Sequence, residues 1–166
     1  MRMIIQSRLI VFLDYECGQQ LQEHQKCCRQ SGRNYRMSIK GIYDIHCHIV
    51  PGVDDGATDI GETVKLLRME YEQGVRTVIA TPHFRFRMFE TPAEKVREQF
   101  RLVEKAASEI SPDLHVYLGC EFHANMEMLP MLREQKVMTM AGSRYVLTEF
   151  SHNSEESYIR ERLGAL

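Results

Sequence analysis

The 166-residue sequence lacks an excess of charge of either sign, a long apolar run and a regular cysteine spacing. Each absence excludes something. A formal net charge of −2 argues against nucleic-acid binding, which rests on a basic face. A membrane-spanning helix needs about 20 consecutive apolar residues; no run approaches that, so no membrane insertion is expected. Five cysteines, an odd number with no secretory signal, point to reduced thiols in the cytoplasm rather than a disulfide framework. At 43% hydrophobic and 27% charged residues, the composition is that of a globular protein with one core, not a collagenous, coiled-coil or disordered chain.

What charge there is lies unevenly. Residues 1–40 hold seven basic and three acidic side chains, whereas residues 41–166 hold fourteen basic and twenty acidic. The first piece also contains Cys17, Cys27 and Cys28 and shows no sustained period, so it is read as a poorly ordered N-terminal extension. Its apolar run at residues 9–13 is too short for a signal peptide, and no small-residue cleavage site follows. Met37 stands just before the first patterned segment, and Gly32-Arg33 is a dipeptide that a ribosome-binding sequence would encode. The expectation is a true translation start at Met37.

From residue 41 the pattern is regular. Residues 41–50 are rich in β-branched and apolar side chains and end in Pro51-Gly52, which predicts a strand and a loop. Asp59 with Glu62 reads as a capping-box-like helix start, Ile60, Val64, Leu67 and Tyr71 follow at helical spacing, and Gly74 supplies the stop. Residues 75–81 predict a second strand closed by Pro82. Thr91-Pro92-Ala93-Glu94 predicts a second capped helix, with Val96, Phe100, Val103 and Ile110 as its buried stripe. A third strand at 114–118, a short helix at 126–134 and a fourth strand at 144–150 complete a strand-helix alternation that means a parallel α/β sheet or barrel.

On that frame, His46 and His48 share one face at the end of the first strand, His83 follows the second, Glu121 follows the third and Glu149 ends the fourth. Strand carboxyl ends are where parallel α/β folds build sites, and histidine with carboxylate is a ligand set for zinc, manganese or iron. Asp54 and Asp55 lie near the same rim. Taken singly, each residue could be an ordinary loop or surface group, but buried charge at one rim needs a partner, and a cation supplies it. Cys47 points away from its histidine neighbours and is read as a small buried residue. His115, His123 and His152 are read as surface residues, His123 lying close enough to Glu121 to support it.

The segment Asp44-Ile45-His46-Cys47-His48-Ile49-Val50-Pro51-Gly52-Val53-Asp54-Asp55-Gly56 resembles the first motif of the polymerase and histidinol phosphatase (PHP) superfamily. The resemblance is strongest to the manganese-dependent bacterial protein-tyrosine phosphatases of capsule and exopolysaccharide operons. It continues through Gly74-Val75-Arg76-Thr77, Thr81-Pro82-His83, Met88-Phe89-Glu90-Thr91-Pro92, Gly119-Cys120-Glu121 and Tyr145-Val146-Leu147-Thr148-Glu149-Phe150, covering residues 42 to about 158. It implies a distorted TIM-like (β/α) barrel with a multinuclear manganese site, iron or zinc being alternatives, held by His46, His48, His83, Glu121 and Glu149. The implied reaction is phosphomonoester hydrolysis without a cysteine nucleophile. The implied partner is the phosphotyrosine-containing tail of a capsule-regulating tyrosine kinase. Arg85 and Arg87, after His83, are candidate phosphate or substrate contacts; the alternative for both is a solvated basic loop.

The family continues with a further histidine, an arginine and a late Asp-x-His that have no counterpart here. A closed α/β barrel takes about 250 residues, and residues 41–166 form the N-terminal part of such a domain. The sequence therefore predicts about half a barrel with an open edge on its fourth strand, prone to self-association. The alternative functions are another PHP phosphoesterase acting on histidinol phosphate or a similar small molecule, or an inactive fragment that at most binds a partner.

Overall fold

The computed structural model describes residues 9–14, as backbone, and residues 41–166. Cys17, Cys27, Cys28 and Met37 lie outside the described residues. Among the described residues, four helices are interspersed with seven strands. They are β1 (Leu9–Asp14), β2 (Ile42–Cys47), α1 (Ile60–Glu72), β3 (Val75–Ala80), β4 (His83–Phe84), α2 (Ala93–Ile110), β5 (His115–Leu118), β6 (Glu121–His123), α3 (Met128–Arg133), β7 (Tyr145–Phe150) and α4 (Glu156–Ala165).

The strands form two sheets. In the first, β2 pairs with β3 and β3 with β5, both in parallel. In the second, β4, β6 and β7 are parallel neighbours, and β1 adds to β7 in antiparallel register from Leu9 opposite Phe150 to Asp14 opposite Tyr145. The chain therefore continues past the ends of two of the four predicted strands, bends, and adds β4 and β6 to the second sheet. Pro82 has no N–H to offer a ladder; Thr81 before it donates its own to the Cys47 carbonyl at 2.8 Å, and His83 after it stands opposite Glu121. The β5 chain makes the same transfer at Gly119-Cys120, where Gly119 donates to Ala80 and Glu121 donates to Pro82. The helical alternation and parallel pairing are those of the expected half-barrel, with the bends accounting for its distortion.

Packing follows the apolar periodicity. Leu67 of α1, Val78 of β3 and Val96, Phe100 and Val103 of α2 join Val50 and Ala107 in one buried cluster, and each large apolar side chain there is worth about 1.5–3 kcal/mol of burial. Ile110, predicted in the stripe, is only partly buried at its edge. A smaller cluster of Phe84, Phe122, Met128, Val137 and Val146 covers the second sheet. The glycine stop of α1 holds: Gly74 has φ +95°, a left-handed conformation that side chains disfavour.

Three local expectations need correction. Asp59 does cap α1, accepting from the Glu62 N–H at 2.9 Å, but the Glu62 carboxylate reaches back to the N–H and hydroxyl of Thr58 rather than to Asp59. Thr91 does not cap α2. Its hydroxyl donates to the Val53 carbonyl at 2.8 Å, tying that helix to the loop after β2, and Pro92 takes the cap position. The fourth strand has no open edge, because β1 pairs along all of β7. The six residues of β1 pair with N–H and C=O groups that would otherwise face water.

Candidate metal centre

The bends bring ligand types together. His46 lies in β2 and His48 one residue beyond it; His83 opens β4, Glu121 opens β6 and Glu149 is the fifth residue of β7. All five sequence candidates meet where the carboxyl end of β2 faces the second sheet. Glu121 and Glu149 are each 1% exposed and His83 8%, so these are interior groups.

Glu121 is the hub. Its Oε2 lies 3.1 Å from His46 Nε2, 3.1 Å from His48 Nε2 and 3.1 Å from His83 Nδ1, and His83 Nδ1 lies 3.7 Å from Glu149 Oε2. The two facing nitrogens of His46 and His48 are 3.4 Å apart. Among the described residues, side-chain donors therefore fall into three overlapping sets: His46, His48 and Glu121; His48, Asp55 and His83; and His83, Glu121 and Glu149. Within each set the ligand atoms lie within 4.8 Å of one another. Nitrogen and oxygen donors converging around one buried carboxylate fit manganese, iron or zinc. The sharing of His48, His83 and Glu121 between sets fits more than one ion.

The electrostatics are those of one buried carboxylate among three imidazoles. Burial alone would raise the Glu121 carboxyl, yet hydrogen bonds from His46 and His48 and the nearby His83 hold it well below the usual carboxylate range. Burial alone would lower His48, but hydrogen bonds to Asp54 and Glu121 outweigh it and push it up to about 9. Burial dominates at His83 and lowers it, which favours the neutral imidazole that a metal requires. Cys47 is no rival ligand or nucleophile. Its thiol faces the Ile79 carbonyl at 3.8 Å, against the apolar cluster, and burial beside Asp44 and Glu70 pushes it far above the ordinary thiol range.

The loop after β2 holds what the sequence reading left unassigned. Asp55, 62% exposed at its side chain, reaches within 3.6 Å of His83 Nε2, and Asp54 is fully buried at its side chain against His48. Proximity to the rim was legible for both, but no periodicity says which way a loop carboxylate turns. Phe89 lies flat on the His83 ring, centroids 5.2 Å apart. Arg85 and Phe89 exchange backbone hydrogen bonds across a tight hairpin, with Arg85 half-buried and Arg87 exposed over the Phe86 ring. The hairpin that follows His83 in the chain thus carries both arginines. His115 and His152 are exposed, and His123 bonds with the Ser151 hydroxyl at 2.9 Å, so none enters the three donor sets.

A family model for capsular polysaccharide synthesis, CpsB/CapC, matches residues 42–166. The chain belongs to the CpsB/CapC family. Among similar members, the tyrosine-protein phosphatase CpsB of Streptococcus pneumoniae is 42% identical over 123 residues, covering 74% of this chain and 51% of that protein. The tyrosine-protein phosphatase YwqE of Bacillus subtilis is 32% identical over 72% of this chain and 47% of its own length. One solved chain comes from crystal structures of YwqE and CpsB described as unique metal-dependent tyrosine phosphatases. It matches with a TM-score of 0.66 at 32% identity, covering 72% of this chain and 49% of that chain. The chain thus spans about half the length of these CpsB/CapC relatives, and β1 lies outside the matched region.

Proposed function

We propose that this chain carries the metal-binding half of a metal-dependent phosphomonoester hydrolase that removes phosphate from protein phosphotyrosine in capsular or exopolysaccharide synthesis. The observation behind it is the convergence of His46, His48 and His83 on Glu121 in a chain whose relatives are named tyrosine-protein phosphatases. In this reading His46, His48, His83, Glu121 and Glu149 hold the ions, with Asp55 a further donor at His83. Manganese is the assigned metal. When bound, such ions polarise phosphoryl oxygens and acidify water.

The chain's own residues position the rest. Glu121 keeps its charge and can serve two subsites at once. Phe89 holds the His83 ring in plane. Arg85 and Arg87 are assigned to the phosphate or to acidic residues flanking the phosphotyrosine, since guanidinium pairs with such groups through two parallel hydrogen bonds. The substrate assigned is the phosphotyrosine-bearing tail of a capsule-regulating tyrosine kinase, met in the cytoplasm. No helix among the described residues is long and apolar enough to cross a membrane.

The test compares manganese-dependent turnover of a phosphotyrosine peptide with that of histidinol phosphate, alongside metal content. Peptide turnover that disappears in His46→Ala and Glu121→Ala supports the proposal. A preference for histidinol phosphate would make the protein a small-molecule phosphatase instead. A soluble 1–166 chain that takes up no manganese, iron or zinc would reduce it to a binding protein.

A further inference from the structure

Asp54 belongs to none of the three donor sets, yet its carboxylate is wholly buried beside them. One oxygen, Oδ2, lies 2.8 Å from His48 Nδ1 and also accepts the backbone N–H of His83 at 2.8 Å; the other, Oδ1, accepts the Gly56 N–H at 3.0 Å. Each oxygen accepts a backbone N–H, Oδ1 from Gly56 and Oδ2 from His83, so the carboxylate is held as an acceptor on both sides. As an acceptor-only group, an ionised Asp54 can meet His48 only if Nδ1 carries a proton. The ring nitrogen left over is Nε2, the one that lies 3.1 Å from Glu121 and 3.4 Å from His46.

The surrounding loop is built to keep this contact. Ala57 donates to the His48 carbonyl at 3.0 Å. A Cβ on Gly56 would stand 2.2 Å from that same carbonyl oxygen and 2.4 Å from His48 Cβ, so the loop closes on His48 only because residue 56 has no side chain. Through the His83 N–H, the same carboxylate also sets where β4 begins. One anion thereby spans the two elements that deliver His48 and His83.

We propose that Asp54 is a positioning residue: it locks the His48 proton on Nδ1, aims the Nε2 lone pair at the cation site, and holds the His83 backbone in register with it. The inference rests on the metal-binding reading above. A partner of this kind typically supports metal affinity by about 10–100-fold.

The diagnostic variant is Asp54→Asn in the full 1–166 chain. An amide cannot serve all three donors: with its oxygen on the Gly56 N–H, its NH₂ group faces His48 Nδ1 and moves the ring proton to Nε2, which blocks the ligand atom; with its oxygen on His48, its NH₂ group faces the Gly56 N–H and forces the loop away from His48. Manganese binding followed by electron paramagnetic resonance should weaken by about 10–100-fold, while Cys47→Ser binds as the unaltered chain does. Nitrogen-15 spectra of the zinc-loaded unaltered chain should show the His48 proton on Nδ1. Equal manganese affinity in Asp54→Asn and the unaltered chain, or a His48 proton on Nε2 in the latter, overturns the proposal while leaving the metal reading intact. An unaltered chain that binds no metal overturns both. If Asp54→Asn does not fold, the spectrum of the unaltered chain decides alone.

Discussion

The two sheets divide the work of the molecule. The first, β2-β3-β5, has strands of four to six residues under two long helices, and its buried cluster is almost wholly hydrocarbon. The second has two strands of only two and three residues, and these carry His83 and Glu121 into the interior. The same two chain segments run through both sheets and change character within a few residues, at Thr81-Pro82 and at Gly119-Cys120. Stability and chemistry are thereby kept apart along each strand. The apolar sheet supplies the burial that lets the polar one hold charged groups at close range, where they would repel or demand solvent if left to pack alone.

That division can be broken from the chemical side first. Glu121→Gln removes the oxygen charge shared by three imidazoles; manganese affinity should fall by more than the roughly 10–100-fold expected of a supporting residue. The rise in thermal midpoint on adding manganese should vanish with it. A midpoint that still rises with manganese would show that the second sheet does not centre on Glu121.

From the apolar side, Leu67→Ala should cost about 2–5 kcal/mol of unfolding free energy, because a fully buried side chain leaves a cavity. The folded fraction should bind manganese as before. Urea unfolding with and without the metal measures both, and a parallel loss of affinity would mean that the two sheets are energetically one unit.

Cys47→Ser tests the boundary itself. The residue sits between two candidate ligands in sequence but faces the apolar cluster in space, so hydrolysis and metal content should be unchanged. A loss of activity would overturn the assignment of the chemistry to histidine and carboxylate.

The smallest effect lies on the far side of β2. Burial, together with the neighbouring Asp44, raises Glu70 from 4.5 to about 7. Between these values the unfolded chain releases the Glu70 proton while the folded chain retains it, so stability should fall as pH rises from about 4.5 to 7. Below 4.5 the group is protonated in both states and contributes no slope. Glu70→Gln should flatten this part of a thermal midpoint against pH curve, and an unchanged slope would assign it to other groups.

The helices and the long strands were legible in the sequence because burial imposes a period: Val96, Phe100 and Val103 recur at helical spacing and all three are buried. The Thr91 cap was misread because a local hydrogen bond competed with a distant one, and the Val53 carbonyl won. The strands β4 and β6 left no pattern, since two or three residues cannot display an alternation. The five candidate ligands were visible as residue types at strand ends. The turn of Asp55 toward His83 and of Asp54 toward His48 was not, because a loop side chain takes its direction from the contacts around it.

By itself, then, the order of residues determined which segments become strands and helices and which strand ends carry histidine or carboxylate, because both depend on neighbours within a turn or two of chain. Only the tertiary structure decided that His46, His48 and His83 meet on one oxygen of Glu121, that a loop anion orients one of them, and that β1 closes the edge of β7. The Glu121 contacts and the β1–β7 pairing join residues tens of positions apart, and their geometry is set by how two sheets bend past one another, a quantity that no local spacing encodes.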